Sequence, residues 1–413
     1  MSIPAEYNLH TLANGIRIVH KQVTHTKIAH CGIMLDVGSR DEADNQAGMT
    51  HFWEHMAFKG TEKRKAFHII NSLESVGGEL NAYTTKEKIC FHASLLLPHF
   101  EKAVDVLTDI TFRSIFPEKE IEKERGVILE EMSMYLDDPE DAIHDDFDEV
   151  IFGKHSLGLN ILGTEESVKA FQKDDFNSFI KQNIDTSKII FSSVSALDFK
   201  SVIKTAEKYL NQIPTQHSTR KRSSFTGHEI VHTVKNRPIS QAHYIFGREA
   251  FAINDDKRLP FIMLTNILGG PGMNSKLNLA LREKYGYVYG VDASYTAYID
   301  TGVFHIYFST EKSRLQKSIA LVHKELKKMQ EITLSSHQLQ TYKNQLMGQI
   351  AMAEENNCSF MQMMAKSILD LDKIDTLESI FEEINAVSAS QLQDLANEMF
   401  NVEKYSSLTF LPS

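Results

Sequence analysis

Two dipeptides recur at one interval and frame the whole chain. Ala29-His30 opens an extended apolar run in the first half, and Ala242-His243 opens one in the second. Phe91-His92 and Phe304-His305 repeat the relation, and both pairs lie 213 residues apart in a chain of 413. In each half the second dipeptide sits in a strand-like stretch followed by an amphipathic helical one, residues 100–107 and 315–322. A repeat of that length with the same order of strand and helix predicts a duplicated α+β unit. A chain this long also exceeds one ordinary core. The expected division is an N-terminal domain 1–212, a connector 213–238 and a C-terminal domain 239–413. The connector is rich in Pro, Ser and Thr and poor in apolar residues.

The formal charge of −11 argues against non-specific binding to nucleic acid or to an anionic membrane surface. Three cysteines, Cys31, Cys90 and Cys358, are far apart and form neither a disulfide framework nor a cysteine metal site. They suit a reducing compartment. The N-terminal residues lack a charged segment followed by an apolar run, and no stretch approaches 18 consecutive apolar residues. The expected location is the cytoplasm.

The stretch His51-Phe52-Trp53-Glu54-His55 carries the chemistry. Nothing between Gly48 and Gly60 breaks a helix, and Gly60 is placed to end one. On a helix His51 and His55 share a face one turn apart and Glu54 projects beside them. Two imidazoles so spaced can chelate one metal ion, and the carboxylate can take a proton from a metal-bound water. Two solvated histidines on a surface helix would read the same way, so a third ligand decides. A second helix is predicted from Pro117 onward, over residues 118–136. There Glu124, Ile128, Glu131 and Tyr135 share a face, with Glu124 and Glu131 two turns apart. A metal with its histidines would give these two carboxylates a partner; a solvated acidic helix would need none.

The second half does not repeat the motif. At the interval of 213 its positions are taken by Leu264, Ile267 and Leu268. Residues 268–277 form a glycine loop that matches neither a phosphate loop nor a dinucleotide fingerprint. Downstream, Arg282 and Tyr289 flank a glycine turn and can both donate hydrogen bonds to a carbonyl, though taken alone the stretch favours structural roles for both. The tripeptide Arg220-Lys221-Arg222 reads as solvated charge in the connector. Residues 80–85 and 89–97 read as paired strands.

Taken together, four stretches resemble the M16 family of metallopeptidases, the inverzincins: His51 through Thr61, Asn81-Ala82-Tyr83-Thr84, Glu124 through Glu131, and Arg282 through Tyr289. The resemblance spans nearly the whole chain. It implies two homologous α/β-sandwich halves, each a mixed, largely antiparallel sheet flanked by helices, of the LuxS/MPP-like metallohydrolase type. It implies one Zn2+ per chain held by His51, His55 and Glu131, with Glu54 as general base and Glu124 orienting a ligand histidine. Glu130, adjacent to Glu131, would point about 100° away on the helix. Asn81 and Ala82 fall where the family adds peptide to an edge strand, and Arg282 and Tyr289 match the pair that reaches the scissile carbonyl. Trp53 stands where a smaller residue is common and is expected to pack away from the metal.

The implied activity is hydrolysis of peptide bonds in unfolded peptides or presequence-like segments, inside a chamber formed by a homodimer. The rival is an M16 subunit that needs a different partner or serves as a non-catalytic peptide-binding scaffold. Such relatives have usually lost a ligand or the base, and here every position is filled.

Overall fold

The structure, a computed structural model, describes residues 7–227 and 229–413. Residues 1–6, part of the stretch read as lacking a signal peptide, and His228 in the connector lie outside the described residues. Among those described, no helix is long and apolar enough to cross a membrane.

The first sheet holds β1 (Asn8–Thr11), β2 (Arg17–Gln22), β3 (Ile28–Leu35), β4 (Glu79–Thr84), β5 (Ile89–Leu96) and β6 (Ile189–Ser195), in the order β1-β2-β6-β3-β5-β4. The second holds β7 (His232–Arg237), β8 (Ala242–Ala250), β9 (Val288–Ala297), β10 (Gly302–Thr310) and β11 (Ser406–Pro412), in the order β7-β11-β8-β10-β9. Position by position the orders coincide once β1 is set aside. The single parallel pair in each sheet falls at the same place, β2 with β6 and β7 with β11. The fold is therefore a duplicated α+β sandwich, with the recurring dipeptides on β3 and β8 and on β5 and β10. The copies are not superposable residue by residue. His30 lies opposite Ser94, whereas His243 lies opposite Ser309, two positions beyond the residue that the interval would select.

The chain divides into two compact units, each assembled from three segments. One comprises Met1–Met132, Leu159–Arg222 and Met352–Thr376, and the other Ser133–Gly158, Ser223–Ala351 and Leu377–Ser413. Each linear half thus gives one helix to the other half's sheet. Asn357–Leu371 packs on β3 and β6, and Pro139–Phe152 packs on β8 and β11. The reason lies in the strands. β6 is buried at every position and β3 at most, so both faces of that sheet need cover. Nothing local in a helix says which sheet it will cover.

On the other face of the first sheet, Phe52 and Trp53 pack with helices Phe100–Phe112 and Phe199–Leu210 around Phe91 and Phe191. The second unit builds its own core on Phe261, Phe304, Leu264 and Ile267.

Two features depart from expectation in the stretch read as a connector. His232–Arg237 is a strand, β7, whose polar alternation conceals it because it lies at a sheet edge. Arg220 and Arg222 are not solvated. Arg222 meets Asp41 through Nε at 2.8 Å and Asp36 through Nη1 at 3.0 Å, and Arg220 meets the same two carboxylates at 2.8 and 3.1 Å. Burial works against ionisation of Asp36, but Arg222, Lys88 and Arg220 outweigh it and hold the carboxyl below its usual range. Only Lys221 of the three faces solvent.

Candidate metal centre

The motif residues lie on the helix Met49–Ala57, which starts at Gly48 in the left-handed region with φ 90°. Glycine is required there: a Cβ would fall 2.5 Å from the carbonyl oxygen of Leu162. The orphan amides of the first turn are taken by a carboxylate from outside the helix. The amides of Gly48 and Thr50 donate to Glu42 at 2.8 and 2.7 Å. At the other end the helix closes at Ala57, with Phe58 as its cap, three residues before Gly60. Phe52, Trp53 and Met56 are fully buried on the core side, which turns His51, Glu54 and His55 the other way. Trp53 is core packing.

A second helix, Glu118–Asp137, buries Ile121, Glu124 and Ile128 and brings Glu131 to the histidines. His51 Nε2 lies 3.7 Å from one Glu131 oxygen, and His55 Nε2 lies 3.5 Å from the other. Among the described residues these three side chains form a group whose ligand atoms all lie within 4.8 Å of one another. Two atoms bound to one tetrahedral zinc at about 2.0–2.1 Å stand roughly 3.3 Å apart, so the trio fits such an ion with small adjustments. Burial, and then His55, depress the His51 pKa to about 3, leaving it neutral as a ligand must be. Glu130 is exposed on the adjacent face.

Around the trio stand two supporting carboxylates. Glu124 Oε2 is 3.2 Å from His55 Nδ1, and its other oxygen is 2.6 Å from Lys59 Nζ. Burial opposes ionisation of Glu124, but the hydrogen bonds from His55 and Lys59 prevail and hold its carboxyl below the usual range. Glu54 is pushed the other way, chiefly by burial, with Glu131 adding to the effect and Thr84 and His55 opposing it. The Thr84 hydroxyl donates to Glu54 Oε2 at 2.6 Å.

Asn81 and Ala82 lie on β4, the edge of the first sheet. Leu80 and Ala82 turn toward the core that holds the motif helix. Asn81 lies on the opposite face and caps the Ala82 amide at 2.9 Å. In the second unit, Arg282 is the last residue but one of a short π-helical segment, Asn278–Glu283, with its guanidinium 5.5 Å from the centre of the Tyr289 ring. Tyr289 is 85% exposed. Arg282 also lines a cavity of about 420 Å³ with the glycine loop Gly269, Gly270, Pro271 and Gly272. Leu264, Ile267 and Leu268, which replace the motif in the second half, are buried in its core.

Three of the residues that support the site, Lys59, Thr84 and Glu42, have no role in the motif pattern itself. Lys59 was open to detection, because it lies one helical turn beyond His55. Thr84 stood inside a recognised stretch, but its hydroxyl partner depends on how β4 packs. Glu42 gave no local signal at all.

Two family models match the chain: insulinase, peptidase family M16, over residues 17–165, and the peptidase M16 inactive domain over residues 170–346. The chain is 33% identical over 409 residues to the Bacillus subtilis protein named uncharacterized zinc protease YmxG, covering 98% of each. A Rickettsia bellii protein, also named an uncharacterized zinc protease, is 30% identical over 397 residues, 96% of this chain and 95% of its own. Among solved structures, a peptidase M16 inactive domain from Pseudomonas fluorescens has a TM-score of 0.91 at 16% identity and covers 98% of both chains. A protease from Helicobacter pylori has a TM-score of 0.89 at 18% identity, covering 98% of this chain and 99% of its own. At such identities these two are likenesses of fold.

Proposed function

Since the chain belongs to peptidase family M16, we propose that it is a zinc-dependent metalloendopeptidase acting on unfolded peptides. The observation that carries the reading is the convergence of His51, His55 and Glu131 with Glu54 beside them on the motif helix. The names of the relatives as zinc proteases support the choice of metal.

His51, His55 and Glu131 would hold one zinc ion per chain through two neutral imidazoles and a carboxylate. When bound, zinc supplies Lewis-acid polarisation of the scissile carbonyl and lowers the pKa of a water to about 7. Glu54 takes the proton of the attacking water on its carboxylate and later delivers it to the leaving amine nitrogen. Burial raises its pKa, which makes it a stronger base than an exposed carboxylate. Glu124 keeps a proton on Nδ1 of His55 and so leaves Nε2 free as a donor atom. The open edge of β4 at Asn81 and Ala82 offers main-chain bonds to an extended peptide, a mode that reads backbone more than sequence. Arg282 and Tyr289 are assigned to the substrate carbonyl on the strength of their motif match and their pairing in the second unit.

The reading includes a homodimer enclosing a peptide chamber in the cytoplasm, with no nucleic-acid or membrane partner. The relatives' matching length supports a two-unit chain as the building block. Light scattering of active enzyme that gives only monomer would remove the dimer.

The experiment is cleavage of a mixture of unstructured peptides by the purified chain and by Glu54→Gln, followed by mass spectrometry with metal analysis. Cleavage by wild type alone, with zinc in both proteins, is the expected outcome. Silence from a zinc-loaded wild type would overturn self-sufficient catalysis and favour a partner-dependent or scaffold subunit.

A further inference from the structure

The hydrogen bond between Thr84 and Glu54 joins the edge strand to the group that moves the proton. We propose that Thr84 is a positioning residue for Glu54. Its hydroxyl holds one carboxylate oxygen, so that the other is presented to the attacking water. The proposal rests on the reading of Glu54 as general base.

Three observations carry it. First, Glu54 needs a restraint. A glutamate has three side-chain torsions, and its terminal one is broad. A base placed at random over that range would meet its proton only part of the time. The 2.6 Å bond from Thr84 is charge-assisted and correspondingly strong.

Second, the hydroxyl sits on a stiff mount. Threonine is β-branched and has few side-chain states. Thr84 pairs with Ile89 at the last position of β4, and the turn that follows is anchored by buried charges. Glu87 meets Arg40 at 2.6 Å and its carbonyl accepts from Arg222 at 3.0 Å. Lys88 pairs with Asp370 and lies 3.7 Å from Asp36. A surface turn built only to connect two strands would not need this set of ion pairs.

Third, alternation along β4 puts Leu80, Ala82 and Thr84 on the face toward the motif helix, with Asn81 and Tyr83 on the other. The donor of the bond to Glu54 therefore lies two residues from Ala82, on the strand assigned to peptide addition. A peptide laid along that edge therefore lies beside the residue that holds the base.

The test compares wild type, Glu54→Gln, Thr84→Val and Thr84→Ser. Valine keeps the shape of threonine and removes the donor, whereas serine keeps the donor and removes a methyl group. Thr84→Val is expected to lower kcat by about 10–100-fold, a fraction of what the base itself supplies, with KM and zinc content unchanged. Thr84→Ser is expected to recover most of that loss. Equal kcat in Thr84→Val and wild type, or a loss confined to KM, would overturn the proposal. So would serine performing no better than valine, which would mark a packing role. Crystal structures of the wild type and Thr84→Val give a readout without turnover. The Glu54 carboxylate is expected to leave its wild-type orientation in the valine variant, and an unmoved carboxylate would refute the proposal. If wild type fails to cleave any peptide, self-sufficient catalysis falls, and the orientation of Glu54 still decides whether Thr84 positions it.

Discussion

Glu124 Oε2 lies 3.2 Å from Nδ1 of His55, while Nε2 of the same ring faces a Glu131 oxygen at 3.5 Å. The two carboxylates therefore stand at opposite ring nitrogens, one as hydrogen-bond acceptor and the other as a fellow ligand across the space for a metal. Glu124 accepts from Nδ1–H, which fixes the tautomer whose Nε2 carries a lone pair toward Glu131. Lys59 occupies the second Glu124 oxygen at 2.6 Å and keeps the carboxylate from rotating away.

This arrangement predicts a metal-affinity effect from a residue that does not touch the metal. Glu124→Gln should weaken zinc binding by about 10–100-fold while leaving the fold intact. Competition with a chelator of known affinity measures it. An unchanged zinc affinity would mean that Glu124 serves the helix packing alone.

Glu130 and Glu131 offer a sharper contrast. They are neighbours in sequence, yet one is exposed and the other faces both histidines. Glu131→Gln should bring the zinc content of the purified chain near zero, and Glu130→Gln should leave it at the wild-type level. Metal analysis by mass spectrometry decides it, and loss of zinc from Glu130→Gln would reverse the assignment.

How much of this could be read from the residues follows a physical rule. His51, Glu54 and His55 are bound by helix geometry within one turn, so spacing alone brings them to one face. Glu131 is 76 positions from His55, and periodicity left it open until four stretches were read together. The duplication was legible as an interval, though its two-residue difference in register was not, because strand pairing is set by contacts between distant segments. The exchanged helices Asn357–Leu371 and Pro139–Phe152 were hidden for the same reason. Arg222 carries no local sign of burial, because a basic tripeptide among polar residues looks solvated until Asp36 and Asp41, more than 180 positions earlier, are seen against it.

That pairing makes a stability prediction. Asp41 and Asp36 have side-chain exposures of 0% and 13%, and removing Arg222 leaves them Arg220, with Lys88 beside Asp36, as the remaining cations. Arg222→Ala should cost about 1–3 kcal/mol, the worth of its charged hydrogen bonds rather than of a wholly unpaired buried charge. Lys221→Ala, on the exposed residue between the two arginines, should stay within about 0.5 kcal/mol of wild type. Chemical denaturation measures both. Trp53 is the chain's one tryptophan and lies in the core of the same unit, so its fluorescence reports the transition. Equal stabilities would mean that the arginines contribute no more than surface charge.

The second unit should carry its own pH dependence. His305 on β10 lies with its ring centre 4.9 Å from that of His144 on the covering helix Pro139–Phe152. Burial first, and then His144, depress its pKa from 6.5 to about 3. The folded chain thus keeps His305 neutral where the unfolded chain would protonate it. A histidine depressed in this way contributes stability that is fully present above about pH 6.5 and is lost as pH falls from there toward 3. Between pH 7 and 5 the loss should approach about 1.4 kcal/mol for each unit below 6.5, while ordinary carboxylates remain ionised. His305→Gln removes one of two such groups, since burial also lowers the pKa of His144, and should reduce that slope. The transition must be followed by far-ultraviolet circular dichroism, because Trp53 lies in the other unit. Identical slopes for wild type and variant would mean that His305 takes up its proton without disturbing the packing of β10 against the helix.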